Sequence, residues 1–96
     1  MNRLLLSAQL VERAALRYTP AGLPALDAVL KHASELSENG APRKVSVEMR
    51  AVAIGEVTQA LAAMALGDAA LFAGFVAQAR NGRGWLFHIT QVDPQG

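Results

Sequence analysis

The segment Arg43–Ile54, RKVSVEMRAVAI, carries the clearest structural signal in the chain. Its apolar side chains alternate with charged and hydroxyl ones, which is the period of two expected of a β-strand with one buried face. Gly55 ends this pattern, and the alanine-rich segment Glu56–Leu66 changes to helical spacing, with an acidic residue at its start and Gly67 after its end. The sequence therefore predicts a strand followed directly by a helix.

Further strands are predicted on both sides of this pair, over residues 3–12, 26–31, 69–79 and 85–92. The connections are predicted to be a turn-rich linker, a flexible polar loop and an Asn-Gly hairpin, over residues 13–25, 33–43 and 80–84. Gly74 lies inside the fourth predicted strand, where glycine usually marks a bulge or a sharp bend.

The predicted order is three strands, one helix and two strands. This order matches an all-β fold, the five-stranded OB-fold Greek-key barrel with a short helix between strands 3 and 4. An irregular α+β sheet with the helix packed on one face is the alternative, and Gly74 and the long second loop favour the barrel. The length of 96 residues suits one hydrophobic core, so residues 1–96 are predicted to form a single OB-fold domain.

Composition excludes several classes of protein. The chain has no cysteine, which removes disulfide frameworks, thiolate metal sites and cysteine nucleophiles and favours an intracellular location. The N-terminal apolar run is shorter than the roughly 7–15 residues of a signal peptide, and the apolar stretch 69–79 is too short to span a bilayer. The protein is therefore expected to be soluble and cytoplasmic, with no membrane partner.

Basic residues concentrate in or beside the predicted connections. Six of the nine lie there, namely Arg13, Arg17, Arg43, Lys44, Arg80 and Arg83. In an OB barrel these connections border the face that holds extended oligonucleotides, and guanidinium groups there pair with phosphates or stack on bases. Charged loops also occur for solvation alone, so a plain solvated surface is the alternative.

Two aromatic residues adjoin these basic positions. Tyr18 and Trp85 are candidates for stacking on nucleic-acid bases. For Trp85 the alternative is that it shares the inward face of Phe87 and caps the barrel. Phe72, Phe75 and Phe87 lie in apolar runs and are predicted to be core residues.

Signals for catalysis are weak. His32 and His88 have no metal-ligand spacing, and the chain has no nucleophile elbow, phosphate-binding loop or dinucleotide fingerprint. Neither enzymatic activity nor a metal or other cofactor is predicted.

Several segments resemble the PriB family of primosomal replication proteins, namely NRLLLS at 2–7, TPAGLP at 19–24, VLKH at 29–32, GFV at 74–76 and Asn81-Gly82. This resemblance covers nearly the whole chain. It implies an OB fold, a homodimer related to half of a single-strand-binding tetramer, and binding of single-stranded DNA. It also implies a non-enzymatic role in replication restart, with contact to the primosomal helicase PriA and to other primosome proteins and help in loading the replicative helicase at stalled forks.

The resemblance transfers to single residues only in part. Arg17 stands where the family has a basic DNA-contacting residue, and Arg80 stands near the basic residues of the last hairpin. Ala33 replaces an expected basic residue, and Ala41 and Ser46 stand where the family carries aromatic residues for stacking. The residues predicted to bind DNA are Arg17, Tyr18, Arg43, Lys44, Arg80, Arg83 and Trp85. The missing aromatic residues predict weaker binding, so a primosome docking scaffold with little DNA affinity is the alternative function.

Overall fold

The computed structural model describes residues 1–95, and within them the chain forms one six-stranded sheet and one short helix. The elements are β1 (Leu4–Arg13), β2 (Arg17–Tyr18), β3 (Pro24–Glu38), β4 (Ala41–Ile54), α1 (Val57–Ala62), β5 (Ala69–Gln78) and β6 (Trp85–Pro94). β2 is a two-residue strand that pairs with the start of β3. In the same described residues, no helix is long and apolar enough to cross a membrane.

The long strands close into a barrel. β1 pairs antiparallel with β3 on one side and with β5 on the other, and the pairs β3–β4 and β5–β6 are also antiparallel. A short parallel ladder between residues 51–53 of β4 and residues 87–89 of β6 completes the closure. The helix lies between the third and fourth long strands, so the predicted five-stranded OB-type barrel is confirmed.

The barrel interior contains one side of each long strand, as the alternation of side chains along a strand requires. Phe72 and Phe87 are completely buried there, which confirms their predicted place in the core. The same prediction for Phe75 is wrong, because this side chain is 39% exposed and stacks on His88 with a ring-centroid separation of 4.7 Å. Phe75 lies an odd number of residues after Phe72, so a strand directs the two rings to opposite faces.

β3 and β4 form a long hairpin, which corrects the predicted flexible loop over residues 33–43. The ladder between the two strands continues to the pair Glu38–Ala41. Asn39 and Gly40 make the turn with φ angles of 51° and 78°, as a tight hairpin turn of this sequence requires. The polar segment forms strands because its backbone groups pair across the ladder, while its side chains are mostly exposed and need no apolar face.

Helix α1 is shorter than the predicted segment Glu56–Leu66. The last bonds of helical type come from the N–H groups of Ala63 and Met64, and the backbone at Gly67 and Asp68 bonds to β1. The N–H of Leu10 donates to the Asp68 carbonyl at 2.9 Å, and the N–H of Gly67 donates to the Leu10 carbonyl at 2.7 Å. These bonds compete with further helical turns and join the end of the helix region to the barrel.

Leu61 and Met64 are buried and belong to the hydrophobic core, beside the strands that α1 contacts. The guanidinium of Arg13 in β1 donates to the carbonyl oxygens of both residues. Arg13 therefore adds a donor to the carbonyl groups at the end of the helix region, where the Leu61 carbonyl also accepts the N–H of Met64 at 3.3 Å. Arg13 thus connects β1 to the end of the helix region.

Gly74 marks an irregularity in the β5–β6 ladder, as predicted. Ala73 pairs with Gln91 whereas Gly74 pairs with Ile89, so Thr90 is the extra residue of a β-bulge. A Cβ atom at Gly74 would lie 1.8 Å from the carbonyl oxygen of His88. The glycine is required here by the close approach of the β6 backbone.

Candidate nucleic-acid interface

An open groove of about 410 Å³ runs beside β2, β3 and β4 and the β5–β6 turn. Three arginines reach it from separate elements: Arg17 from β2, Arg50 from β4 and Arg80 from the β5–β6 turn. The other residues that line it are Glu12, Ala14, Asp27, Ala28, Val29, Ala51, Ala79, Asn81 and Leu86. We refer to this surface as the arginine groove.

Arg17 forms an ion pair with Asp27 of β3 in this groove. Nε donates to Oδ2 at 2.6 Å and Nη2 donates to Oδ1 at 3.0 Å, so the contact is bidentate. The two side chains are 49% and 45% exposed. The hydrogen bonds from Arg17 lower the pKa of the Asp27 carboxyl; partial burial opposes this, and the positive charge of Arg17 adds to it.

The lowered pKa of Asp27 makes stability depend on pH. The unfolded value is about 3.9, so the ion pair stabilises the fold above about pH 4 and loses this effect as pH falls through the lower folded-state pKa. At neutral pH we expect Asp27→Asn to lower the free energy of unfolding by less than about 1 kcal/mol, because both partners are half exposed. Urea unfolding at a series of pH values measures this difference. A difference that stays constant from neutral to acid pH contradicts the assignment.

A second groove of about 540 Å³ adjoins the first. It is lined by Val47, Glu48, Met49, Arg50, Arg83, Gly84 and Trp85, and we refer to it as the tryptophan groove. Arg50 lines both grooves, and its Nη2 donates to the carbonyl oxygen of Arg83 at 3.3 Å. The two grooves therefore meet at Arg50, which also ties β4 to the β5–β6 turn.

Internal hydrogen bonds fix the shape of the β5–β6 turn. The N–H of Gly82 donates to the Ala79 carbonyl at 2.8 Å, and the N–H of Arg83 donates to the Asn81 side-chain oxygen at 2.9 Å. Gly82 has a φ of 72°, in the region that glycine adopts without strain. The turn places Arg80 in the arginine groove and Arg83 in the tryptophan groove.

The grooves bring together several of the residues predicted from sequence. Arg17 and Arg80 line the arginine groove, and Arg83 and Trp85 line the tryptophan groove. Trp85 is 71% exposed at the first residue of β6, so the alternative that it caps the barrel beside Phe87 is wrong. Its indole ring is open to a ligand.

The other predicted residues lie elsewhere. Tyr18 is exposed on β2 but lines neither groove. Arg43 and Lys44 lie in β4 near the tip of the β3–β4 hairpin, at the start of the predicted strand Arg43–Ile54, and line neither groove. Arg43 pairs there with Glu38 at 3.2 Å.

Arg50 is the residue that sequence reasoning missed. The predicted DNA-binding residues lie in or beside the connections between elements, whereas Arg50 lies within strand β4. It is the last charged residue of the alternating pattern before the buried residues Ala51, Val52 and Ala53. An outward-facing arginine at the point where a strand enters the barrel was the available signal.

The histidines have partners within the fold. Nδ1 of His32 lies 2.6 Å from the Ser7 carbonyl oxygen and Nε2 lies 2.8 Å from the Ser34 hydroxyl, while His88 stacks on Phe75. Within residues 1–95, no group of three or more His, Asp or Glu side chains is placed to hold a metal ion.

Known proteins are similar to this chain in sequence and in fold. A family model described as "Another single-strand binding protein family" matches residues 2–91. Replication restart protein PriB of Bordetella pertussis is 49% identical over 81 residues, which are 84% of this chain and 76% of that protein. The structure of PriB from Ralstonia solanacearum superposes with a TM-score of 0.90 at 33% identity, over 100% of this chain and 99% of that chain.

A more distant structure shows the same fold. The wild-type single-stranded DNA binding protein from Thermus aquaticus superposes with a TM-score of 0.78 at 23% identity, over 100% of this chain and 50% of that chain. At this level of identity the likeness concerns the fold alone.

Proposed function

The chain belongs to the replication restart protein PriB family, and from this premise we propose that it binds single-stranded DNA during replication restart. In this role it acts in the cytoplasm as an accessory subunit without catalytic activity. It assists helicase loading at stalled forks and contacts the primosomal helicase PriA.

The observation that carries the proposal is the junction of the two grooves at Arg50. Arg17 and Arg80 lie along one groove and Arg83 lies along the other. Arginines spaced along a continuous surface suit the repeating phosphates of an extended strand, which supply most of the affinity of sequence-tolerant binding.

Trp85 gives this surface a stacking platform. Its exposed ring lies in the tryptophan groove, beside Arg83 and Gly84. Stacking of a base on an aromatic ring contributes about 1–3 kcal/mol in single-strand binding proteins. We assign Tyr18 and the hairpin residues Arg43 and Lys44 to outer contacts with a strand that extends beyond the grooves.

The direct test is a titration with oligo-dT at low and at high salt. Trp85 is the sole tryptophan of the chain, so its emission reports on the tryptophan groove. We expect the emission to change on binding and log K to fall with log[salt] with a slope of about −2, since Arg50, Arg80 and Arg83 form no ion pair within residues 1–95 and contribute about 0.7 each. Absence of binding at low salt, measured in parallel by the anisotropy of labelled DNA, rules out the proposed function.

A homodimer is part of the proposal. Leu5 of β1 is 56% exposed and lies opposite Ala73 of β5, two residues before the exposed Phe75. An outward apolar surface of this kind is what self-association would bury. Sedimentation equilibrium tests the assignment, with Leu5→Asp expected to shift the molecule to a monomer.

A protein-docking scaffold is the second candidate function, because the β3–β4 hairpin has no Phe, Tyr or Trp. Ala41 and Ser46 are exposed there, and Leu36 and Val47 present apolar side chains to solvent. Replacement of Leu36 by serine separates the candidates, because Leu36 lies outside both grooves whereas Val47 lines the tryptophan groove. If PriA stimulation is lost while DNA affinity is unchanged, the hairpin serves docking; if DNA affinity falls as well, it serves as a DNA surface.

A further inference from the structure

Asp27 lies in the arginine groove and occupies the side of Arg17 that recognises phosphate. Nε and Nη2 of Arg17 donate to its two carboxylate oxygens at 2.6 Å and 3.0 Å. A guanidinium group offers the same paired donors to a phosphate. We propose that Asp27 competes with DNA phosphate for Arg17, so that the Arg17–Asp27 pair opens whenever DNA binds. This inference rests on the proposed function.

The carboxylate stays in place when the pair opens. Asp27 lies within the β3–β4 ladder, opposite Val52, and its carbonyl accepts the N–H of Ala14 at 2.9 Å. Arg17 belongs to the two-residue strand β2 and has the longer, more flexible side chain. Arg17 therefore moves toward the phosphate, and Asp27 remains as an unpaired negative charge facing the bound strand.

The other charged residues of the groove are Glu12, Arg50 and Arg80, and the two arginines determine the order of events. Arg50 and Arg80 line the same groove and form no ion pair within residues 1–95. An incoming strand meets these two side chains as available cations, and exchange at Arg17 follows. Because this exchange replaces one anion by another, Arg17 adds little net affinity, and Asp27 keeps binding weak and readily reversible.

Removal of the carboxylate tests the proposal. We expect Asp27→Asn to tighten binding of oligo-dT by roughly two- to fivefold, since an exposed ion pair worth less than about 1 kcal/mol no longer has to be broken. The salt dependence of log K becomes steeper by about 0.7, because the charge of Arg17 is then neutralised by the strand alone. Thermal unfolding of the variant confirms that the fold is retained.

Two comparisons isolate the local effect. Asp93→Asn changes the net charge equally, but Asp93 lies on β6 and lines neither groove, so we expect little change in affinity. Arg17→Ala should weaken DNA binding more in the Asp27→Asn background than in the wild type. The proposal is wrong if Asp27→Asn binds DNA no tighter than wild type, or if Asp93→Asn tightens binding as much.

A readout without DNA keeps the test independent of the proposed function. The Nε–H signal of Arg17 is followed by NMR while inorganic phosphate is added. The signal is expected to shift at several-fold lower phosphate in Asp27→Asn than in the wild type. Equal responses overturn the competition, whereas a wild-type protein that fails to bind oligo-dT overturns only the proposed function.

Discussion

Alanine at both Arg50 and Arg80 is expected to weaken binding of single-stranded DNA about thirtyfold, which corresponds to about 2 kcal/mol. Both side chains line the arginine groove, and Arg50 also lines the tryptophan groove. Neither has a carboxylate partner within residues 1–95, so their removal leaves no unpaired anion behind. The salt dependence of log K should become shallower by about 1.4, since two phosphate contacts are lost.

The matched control removes the same charge elsewhere. Arg3 and Lys31 line neither groove, so the variant Arg3→Ala/Lys31→Ala lowers the net charge equally while the grooves stay intact. Anisotropy titrations at two salt concentrations compare the two double variants. Equal losses of affinity would show that overall charge, and not the groove, attracts the strand.

Replacement of Gly74 by alanine is expected to destabilise the barrel by about 3 kcal/mol, a large part of the roughly 5–15 kcal/mol that holds a domain of this size. The new methyl group would lie 1.8 Å from the His88 carbonyl oxygen and 3.0 Å from the ring of Phe87. Both belong to β6, so relief of the clash requires the β5–β6 ladder to separate at its bulge. Urea unfolding measures the loss.

Gly22→Ala is the appropriate control for Gly74→Ala. Gly22 has a φ of 83° but open space around the position of a Cβ atom. Its replacement carries only the backbone strain of an L-residue in that region, about 1–2 kcal/mol. If Gly74→Ala costs no more than this control, the close approach of β6 does not limit the residue at this position.

The sequence is sufficient to predict the barrel but not the outer part of the β3–β4 hairpin. Alternation in β4, the helical spacing that follows and Gly74 each indicate a local structure that the fold contains. The hairpin between residues 33 and 43 does not show in the sequence pattern. Alternation of apolar and polar residues marks a strand with one buried face, and the strands of this hairpin are mostly exposed on both faces. Its Asn39-Gly40 turn was the remaining signal.

The candidate site shows a similar division. Charge in the connections was enough to find Arg17, Arg80 and Arg83 as residues of the grooves. The contact between Arg17 and Asp27 depends on how β2 pairs with β3, and a pattern of residue types does not specify that register. The position of Arg50 between the two grooves likewise depends on which part of β4 is buried in the barrel, and the sequence pattern does not specify this.

The closure of the barrel also determines when the chain can fold during its synthesis. The side chain of Asn2 bonds to the backbone of Val76, β1 pairs with β5, and the partner of β4 is β6, which ends at Pro94. Among the pairings made before the helix, the β3–β4 hairpin is the most extensive, whereas β1 and β2 each pair with β3 over a few residues. Contacts between such distant parts of a sequence form slowly. We therefore expect the nascent protein to carry a preformed hairpin and open alanine-rich strands until β6 has been made.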